Sequence, residues 1–230
     1  MDPSPATSAQ LYAATRERVT AAVRGLSPAD LDRQVPACPL WTVHNLVSHL
    51  AGVATDFATG TLDGAPQPPW TAVQVEARRA LPIDAVLDEW ERTGPLLEQV
   101  ILEGSSDHPL VCNPWADAGT HEADLHGLLG IGRPPEELWL TALDWALPDP
   151  TPSDDVPGTL SIVTPSGTYS IGSGSPVAEV RTSSYELFRA VFGRRSFEQI
   201  RSWAWSTPSY ADAWSRELPR LPQTERALSD

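Results

Sequence analysis

The sequence contains no lysine, so all 16 of its basic residues other than histidine are arginines, against 30 acidic residues. The formal net charge of −14 argues against nucleic acid or an anionic membrane as the main partner, because both are polyanions. Long apolar runs are missing too. No stretch approaches the roughly 18 apolar residues of a membrane span, and the N-terminus lacks a signal-peptide pattern. We therefore expect a cytoplasmic protein whose main partner is neither nucleic acid nor a membrane.

Cysteine is nearly absent as well. Cys38 and Cys112 are the 2 cysteines of the chain, and they lie far apart in the sequence. Two isolated cysteines support neither a disulfide framework nor a thiolate zinc site. With 230 residues, 41% of them hydrophobic, the chain is long enough for a globular protein of one large or two small domains.

Helical periodicity dominates the N-terminal part of the chain. Apolar residues recur there at three- and four-residue steps in four segments, the pattern of amphipathic helices that pack in a bundle. These segments are residues 8–25, 42–62, 83–103 and 114–130. A shorter helical pattern follows over residues 134–147. We predict a four-helix bundle domain over residues 1–147.

The pattern changes after a linker rich in proline and aspartate, residues 148–158. Residues 159–230 alternate with period 2 in three short segments and then return to helical spacing. We predict a small α+β domain there, with a three-stranded antiparallel sheet, a helix pair and a loosely ordered tail from about residue 206. The fold class of the whole chain is therefore expected to be α+β.

Glu122 and His126 are four residues apart in the last predicted helix of the bundle, so they project about 40° apart from one face. Counting about 100° per residue places that face in the apolar stripe, and places His121 and Asp124 on other sides. The segment is not a zinc-protease HExxH motif, because His121 and His126 are five residues apart. A buried carboxylate needs a cation, a proton or a strong donor. Two interpretations stay open: a metal site, or a Glu122 that is protonated or paired with an arginine, beside a core histidine.

A metal site on Glu122 and His126 needs a third ligand from another segment. The remaining candidate histidines are His44, His49 and His108. His49 lies at the margin of the apolar stripe of the helix predicted over residues 42–62, from which a side chain can reach sideways into a bundle. The same position suits a surface histidine, so periodicity alone leaves the third ligand open.

Three motifs resemble one known family. Residues 38–52, with Trp41 and His49, resemble the tryptophan-led, histidine-bearing second helix of the mycothiol-dependent maleylpyruvate isomerase family, in the DinB-like superfamily. The run from Glu122 to His126 resembles the second metal motif of that family. Residues 185–196 are similar to the signature of its small C-terminal domain. The three motifs follow the family's order over most of the chain.

The resemblance implies a DinB-like helical bundle that holds one divalent metal ion, usually zinc, through His49, Glu122 and His126. It also implies mycothiol, a low-molecular-weight thiol, as cofactor or cosubstrate. Two positions depart from the family pattern: Leu129 stands where an aspartate is frequent, and Gly119 where an arginine is frequent. These departures leave the electrophilic substrate open.

Two imidazoles and one carboxylate leave a tetrahedral metal ion with one open position, the pattern of catalytic zinc. A thiol bound there ionises, and its attack on an electrophilic small molecule gives isomerisation if the adduct eliminates and S-transfer if it persists. We expect Arg194 or Arg195 to bind a carboxylate of substrate or thiol, with a solvated surface position as the alternative. Other classes stay open: a zinc hydrolase that uses metal-bound hydroxide, or a non-catalytic small-molecule-binding protein. The protein is expected to be a monomer or weak dimer.

Overall fold

A computed structural model describes residues 2–104, 113–147 and 158–229 of the chain. His108, Cys112 and most of the predicted linker therefore lie outside the described residues. Contacts between Cα atoms divide the chain into two compact units, one of residues 3–134 and one formed mainly by residues 135–229. Within the described part of the chain, no helix is both long and apolar enough to cross a membrane.

The first unit is helical. Its helices are α1 (Pro5–Val23), α2 (Pro28–Leu31), α3 (Val43–Thr59), α4 (Pro68–Arg78), α5 (Ile83–Leu102) and α6 (Pro114–Leu129). Helices α1 and α3 each pack against both α5 and α6, so these four form the bundle predicted from the periodicity. Helix α4 packs on α3. It begins in a Pro-rich segment, with proline at its first positions, where the missing N–H breaks no helical hydrogen bond.

Local signals position α3. Thr42 accepts a hydrogen bond from the Asn45 backbone N–H, and the Asn45 side chain accepts one in return from the Thr42 backbone, which makes a reciprocal N-cap. The helix ends at Gly60, whose φ of 72° lies in the left-handed region that glycine adopts without steric strain. These caps fix where His49 falls along the bundle.

Helix α6 is buried on every side of its N-terminal three turns. All residues from Pro114 to Leu125 are buried except Asp117. A helix buried all round has no single apolar face, because its neighbours cover it from several directions. The angular count that assigned one inward face to this segment is therefore corrected by the structure.

The second unit contains α7 (Glu136–Ala146), β1 (Gly158–Thr164), β2 (Gly167–Ser173), β3 (Pro176–Arg181), α8 (Ser184–Val191), α9 (Phe197–Arg201), β4 (Ala204–Trp205) and α10 (Ala211–Glu217). Helix α7 packs against α8 in this unit, with the Trp139 and Tyr185 rings 5.7 Å apart, whereas we had placed residues 134–147 with the bundle. Residues beyond 206, where a loosely ordered tail is predicted, include α10, whose Trp214 is fully buried.

The sheet differs from the prediction. It has four strands in the order β2-β1-β3-β4, with β1 and β2 antiparallel, β1 and β3 parallel, and β3 and β4 antiparallel. After β2 the chain passes the start of β1 and adds β3 to its other edge. Alternation of apolar residues shows which face of a strand is buried, but it carries no information about which edge the strand joins. The α+β class is confirmed, and the three-stranded antiparallel sheet was wrong.

Candidate metal centre

Glu122 is paired with an arginine. Its carboxylate is fully buried and accepts two hydrogen bonds from Arg18 on α1, Nε to Oε1 at 2.5 Å and Nη2 to Oε2 at 2.8 Å. The Thr15 hydroxyl donates a third at 3.1 Å. His126 Nε2 lies 3.6 Å from Glu122 Oε1, and burial lowers the pKa of His126 although the Glu122 charge opposes the change. The strong donor required by the buried carboxylate is thus a guanidinium.

His49 lies in a different cluster. Its Nε2 is 3.2 Å from Asp117 Oδ2, and its Nδ1 is 2.8 Å from Gln74 Oε1 on α4. Asp117 and His121, one helical turn apart on α6, face His49, whereas Glu122 contacts α1 and His126 lies beside Glu122. The structure therefore brings only one of the three predicted ligands, His49, to this place. The set with Glu122 and His126 stays a prediction that this geometry does not support.

His49, Asp117 and His121 form a cluster suited to one metal ion. One ligand atom from each residue lies within 4.8 Å of the others. His49 Nε2 and Asp117 Oδ2 are 3.2 Å apart, and His121 Nε2 and Asp117 Oδ1 are 3.6 Å apart. Zinc bonds of roughly 2.0–2.1 Å in a tetrahedron place neighbouring ligand atoms about 3.3 Å apart. The cluster therefore fits a zinc-sized divalent cation.

His121 is oriented by Asp124. His121 Nδ1 lies 3.1 Å from Asp124 Oδ2, a buried carboxylate oxygen that accepts from the ring. With the hydrogen on Nδ1, the neutral ring turns its Nε2 lone pair toward Asp117. A carboxylate that holds the far nitrogen of a metal-binding histidine is a common outer contact of zinc sites. The angular count places Asp124 on another side of the helix from the predicted ligands, and in the structure it contacts His121.

The charges around His121 favour its protonated form when no cation is bound. Burial lowers the pKa of His121, but the charges of Cys38 and Asp117 and the hydrogen bonds to Asp124 and Cys38 outweigh it and raise the pKa to about 10. The same anionic groups and lone pairs that favour the proton on His121 also attract a metal cation, so the proton and the metal compete for this site.

The loop before α3 covers the cluster. The Trp41 ring lies 4.8 Å from the His49 ring and 5.8 Å from the His121 ring. Cys38 Sγ lies 3.8 Å from both His121 Nδ1 and Asp124 Oδ2, so Cys38, His121 and Asp124 form a second group with metal-ligand spacing. A cation there would displace the hydrogen that His121 shares with Asp124, so the His49 group is the better site.

Solvent reaches the cluster through Asp117. Its side chain is 30% exposed, whereas those of His49 and His121 are 4% and 7% exposed. Asp117 is therefore the most exposed of the three side chains, as expected where a catalytic metal site keeps one position for a small molecule.

Arg194 and Arg195 are buried in the second unit. Arg195 donates from Nε and Nη2 to the Glu186 carboxylate, at 2.6 and 2.8 Å, and from Nη1 to the Arg194 carbonyl oxygen. Arg194 Nη1 donates to the Phe192 carbonyl oxygen. These bonds hold the turn after α8, and neither arginine lies on a solvated surface. A substrate contact at either one stays a prediction without support from these contacts.

Sequence reasoning missed Asp117, His121 and Gln74. The sequence contains two acid-x-x-x-His pairs, Asp117 with His121 and Glu122 with His126, and we chose the second. The family pattern could have indicated the pair of Asp117 and His121. It has an aspartate three residues after its histidine: that position is Leu129 if the histidine is His126, but Asp124 if the histidine is His121. The arginine that is frequent in the family shortly before the acidic residue is missing whichever of the two pairs is aligned with the motif. Gln74 lies on a helix that the sequence did not predict.

The comparisons with known proteins agree with this fold. The family model of the mycothiol maleylpyruvate isomerase N-terminal domain matches residues 12–128. Because this match covers more than half of the 230 residues, the chain belongs to that family, which confirms the resemblance. A comparison with curated proteins finds no match.

Two solved structures are similar over nearly the whole chain. One is a crystal structure of the mycothiol-dependent maleylpyruvate isomerase, with a TM-score of 0.60, and the other is a histidine-to-alanine mutant of it, with a TM-score of 0.56. Each is 16% identical, and each alignment covers 94% of this chain and 95% of the other. At this identity the likeness concerns the fold.

Proposed function

We propose that the chain is a thiol-dependent enzyme that holds one divalent cation on His49, Asp117 and His121. The observation that carries the proposal is the convergence of two imidazole Nε2 atoms on the Asp117 carboxylate, at 3.2 and 3.6 Å. Both rings are held through Nδ1, by Gln74 and by Asp124. A histidine that only fills a core needs no such opposed pair, so the arrangement favours a cation between the rings. Zinc is the first choice, because it prefers this ligand set.

A divalent cation in such a site favours the ionised form of a thiol at neutral pH. A low-molecular-weight thiol, mycothiol in this family, supplies the nucleophile for attack on an electrophilic carbon, the chemistry that thiol-dependent isomerases and S-transferases share. The chain's own residues prepare the place: Asp124 holds His121, and Trp41 covers both rings. We propose a cytoplasmic enzyme with a small electrophile as substrate.

Metal analysis tests the site. We expect the purified protein to retain about one equivalent of zinc, and the single variants His49→Ala, Asp117→Asn and His121→Ala to lose it while staying folded by circular dichroism. Glu122→Gln and His126→Ala are the matched controls, because they change the other acid-x-x-x-His pair of α6 and should keep the metal. Loss of metal in the two controls, with retention in Asp117→Asn and His121→Ala, would restore the set predicted from the sequence.

Product analysis tests the chemistry. The metal-loaded protein is incubated with mycothiol and maleylpyruvate, the compound in the name of the similar crystal structure, and then with other electrophiles, and products are identified by mass spectrometry. We expect conversion that requires both thiol and metal and that is lost in His121→Ala. Equally fast conversion without thiol would replace this proposal by a hydrolase.

A further inference from the structure

A second set of metal-binding side chains lies beside the His49 group, which consists of His49, Asp117 and His121. Cys38 Sγ is 3.8 Å from His121 Nδ1 and 3.8 Å from Asp124 Oδ2, and those two atoms are 3.1 Å apart. Around a tetrahedral zinc ion, sulfur lies roughly 3.6 Å from a nitrogen or oxygen ligand, and two such lighter ligands lie roughly 3.3 Å apart. The three donor atoms therefore have the spacing of ligands around one ion of that size.

The backbone of the loop before α3 fixes the position of Cys38. The Cys38 N–H donates to the Val35 carbonyl oxygen at 2.9 Å, and the Cys38 carbonyl oxygen accepts from the Trp41 N–H at 2.8 Å. The Val35 N–H donates to the Trp41 carbonyl oxygen at 2.9 Å, and the Val35 side chain is fully buried. A donor that is held in place before the ion arrives loses little conformational entropy when the ion binds.

Helix α6 supplies the other two donors. His121 and Asp124 are three residues apart, so their side chains are neighbours on the helix surface. Both are buried, whereas Cys38 is half-buried. The set thus joins a rigid loop to a buried helix, and its sulfur atom belongs to the most exposed of the three residues.

The sulfur atom determines which ions this set selects. Thiolate is a soft ligand that favours thiophilic ions, whereas two imidazoles and one carboxylate suit zinc. When a thiophilic ion binds, the Cys38 thiol releases its proton to solvent and the sulfur forms a bond to the metal, with no change in oxidation state. The ion also takes the Nδ1 lone pair of His121, so the hydrogen that His121 shares with Asp124 leaves that nitrogen.

We propose that Cys38, His121 and Asp124 form a second metal site, which binds a thiophilic ion. Cys38 and Asp124 have no atom in the His49 group, so the site does not depend on that group being occupied. His121 belongs to both sets. A neutral imidazole has one lone pair, so an ion on Nδ1 takes Nε2 away from the His49 group. A thiophilic ion is therefore expected to inhibit zinc binding there, and this consequence alone rests on the proposed function.

Cadmium titration of the metal-free protein tests the site, because a cadmium–thiolate bond gives an ultraviolet absorption band. We expect the band to appear with the first equivalent of Cd²⁺ in the wild type and to be absent in Cys38→Ser. Cys112→Ser is the matched control, because it changes the other cysteine of the chain and should keep the band. His49→Ala should also keep it, because His49 belongs only to the His49 group. Circular dichroism checks that each variant is folded.

X-ray absorption at the cadmium edge gives a second readout, which needs no variant. We expect one sulfur neighbour together with nitrogen and oxygen neighbours in the wild type. The inference is overturned if the wild type shows no cadmium–sulfur bond, if folded Cys38→Ser keeps the band, or if Cys112→Ser or His49→Ala loses it. A wild type that shows the band but retains no zinc would overturn only the proposed function. Zinc retained without a cadmium–sulfur bond would overturn only this inference.

Zinc release measures the competition through His121. Added Cd²⁺ should remove zinc from the wild type at a lower concentration than from Cys38→Ser, because only the wild type offers the sulfur. Equal release from both proteins would contradict the shared role of His121.

Discussion

At the scale of single residues, two buried carboxylates of α6 are compensated in different ways. Glu122 receives a bidentate guanidinium from Arg18 and a hydroxyl from Thr15. The Asp124 carboxylate accepts a hydrogen bond from the imidazole of His121, which belongs to the cluster of His49, Asp117 and His121. Only the second arrangement links a buried charge to a site that solvent can reach through Asp117. The first pins α6 to α1.

Arg18→Met should therefore reduce stability strongly without changing metal content. The variant leaves the Glu122 carboxylate buried with one hydroxyl donor, and breaking a buried pair from one side costs about 3 kcal/mol, toward the lower end because Arg18 is 30% exposed. Urea unfolding measures the loss. Arg24→Met is the control: Arg24 lies at the end of the same helix, and the acidic groups that it contacts are exposed.

A double variant distinguishes the loss of the attraction between Arg18 and Glu122 from the cost of leaving the Glu122 carboxylate buried without its partner. If the stranded carboxylate causes the loss, Arg18→Met combined with Glu122→Leu should recover most of the stability, because both partners are then apolar. A double variant no more stable than Arg18→Met would contradict this explanation.

At the scale of elements, α4 is attached to the bundle mainly through polar contacts. Arg78 donates to the Glu89 carboxylate of α5 from Nε at 3.0 Å, and its Nη1 is held within α4 by the backbone carbonyl oxygen of Gln74 at 2.9 Å. Thr55 of α3 donates to the same carboxylate at 2.7 Å. Burial raises the pKa of Glu89, but the bonds from Arg78 and Thr55 outweigh it and lower that pKa overall. Helices α3, α4 and α5 thus meet at one ion pair.

Arg78→Met should loosen α4 more than any other helix. We expect a loss of about 2 kcal/mol, the usual range for bonds to charged groups, and faster amide hydrogen exchange in α4 than in α1. Arg79→Met is a close control, because Arg79 is the sequence neighbour of Arg78 and pairs with exposed Glu76 of the same helix. Equal exchange rates in α4 for both variants would show that apolar packing holds this helix.

At the scale of the whole molecule, the excess of acidic groups favours cations over anions. The net charge of −14 raises the local concentration of divalent cations around the chain, and the cluster of His49, Asp117 and His121 is the proposed place for one. A proton is the competing cation there, since the pKa of His121 is raised to about 10. Metal binding and pH are therefore linked through His121.

Zinc affinity should rise with pH. Because the folded pKa of His121 lies above its ordinary value of 6.5, the metal-free protein holds that proton at neutral pH and releases it only as pH rises through about 10. A cation that binds Nε2 displaces one proton, so affinity should increase about tenfold per pH unit between pH 7 and 9. Chelator competition at several pH values measures the slope, with His126→Ala as a control of unchanged slope. An affinity independent of pH over this range would contradict the assignment of His121.

The sequence by itself determined the helical bundle, the α+β class and the family, and the family resemblance made His49 a predicted metal ligand. Each depends on signals that are local or repeated: periodicity for the helices, caps for their ends, and short motifs for the family. It also showed that Glu122, once buried, requires a cation, a proton or a strong donor, because that follows from the cost of a buried charge alone.

Only the tertiary structure decided which partner each acid receives. Arg18 is 104 residues from Glu122 in the sequence, and nothing local shows that α1 delivers it. Two acid-x-x-x-His pairs on α6 have the same spacing, and a helix buried on all sides gives no inward face to choose between them. The choice follows from which neighbour each pair meets, α1 for Glu122 and α3 for Asp117. Long-range packing, which sequence periodicity does not encode, therefore fixed the site.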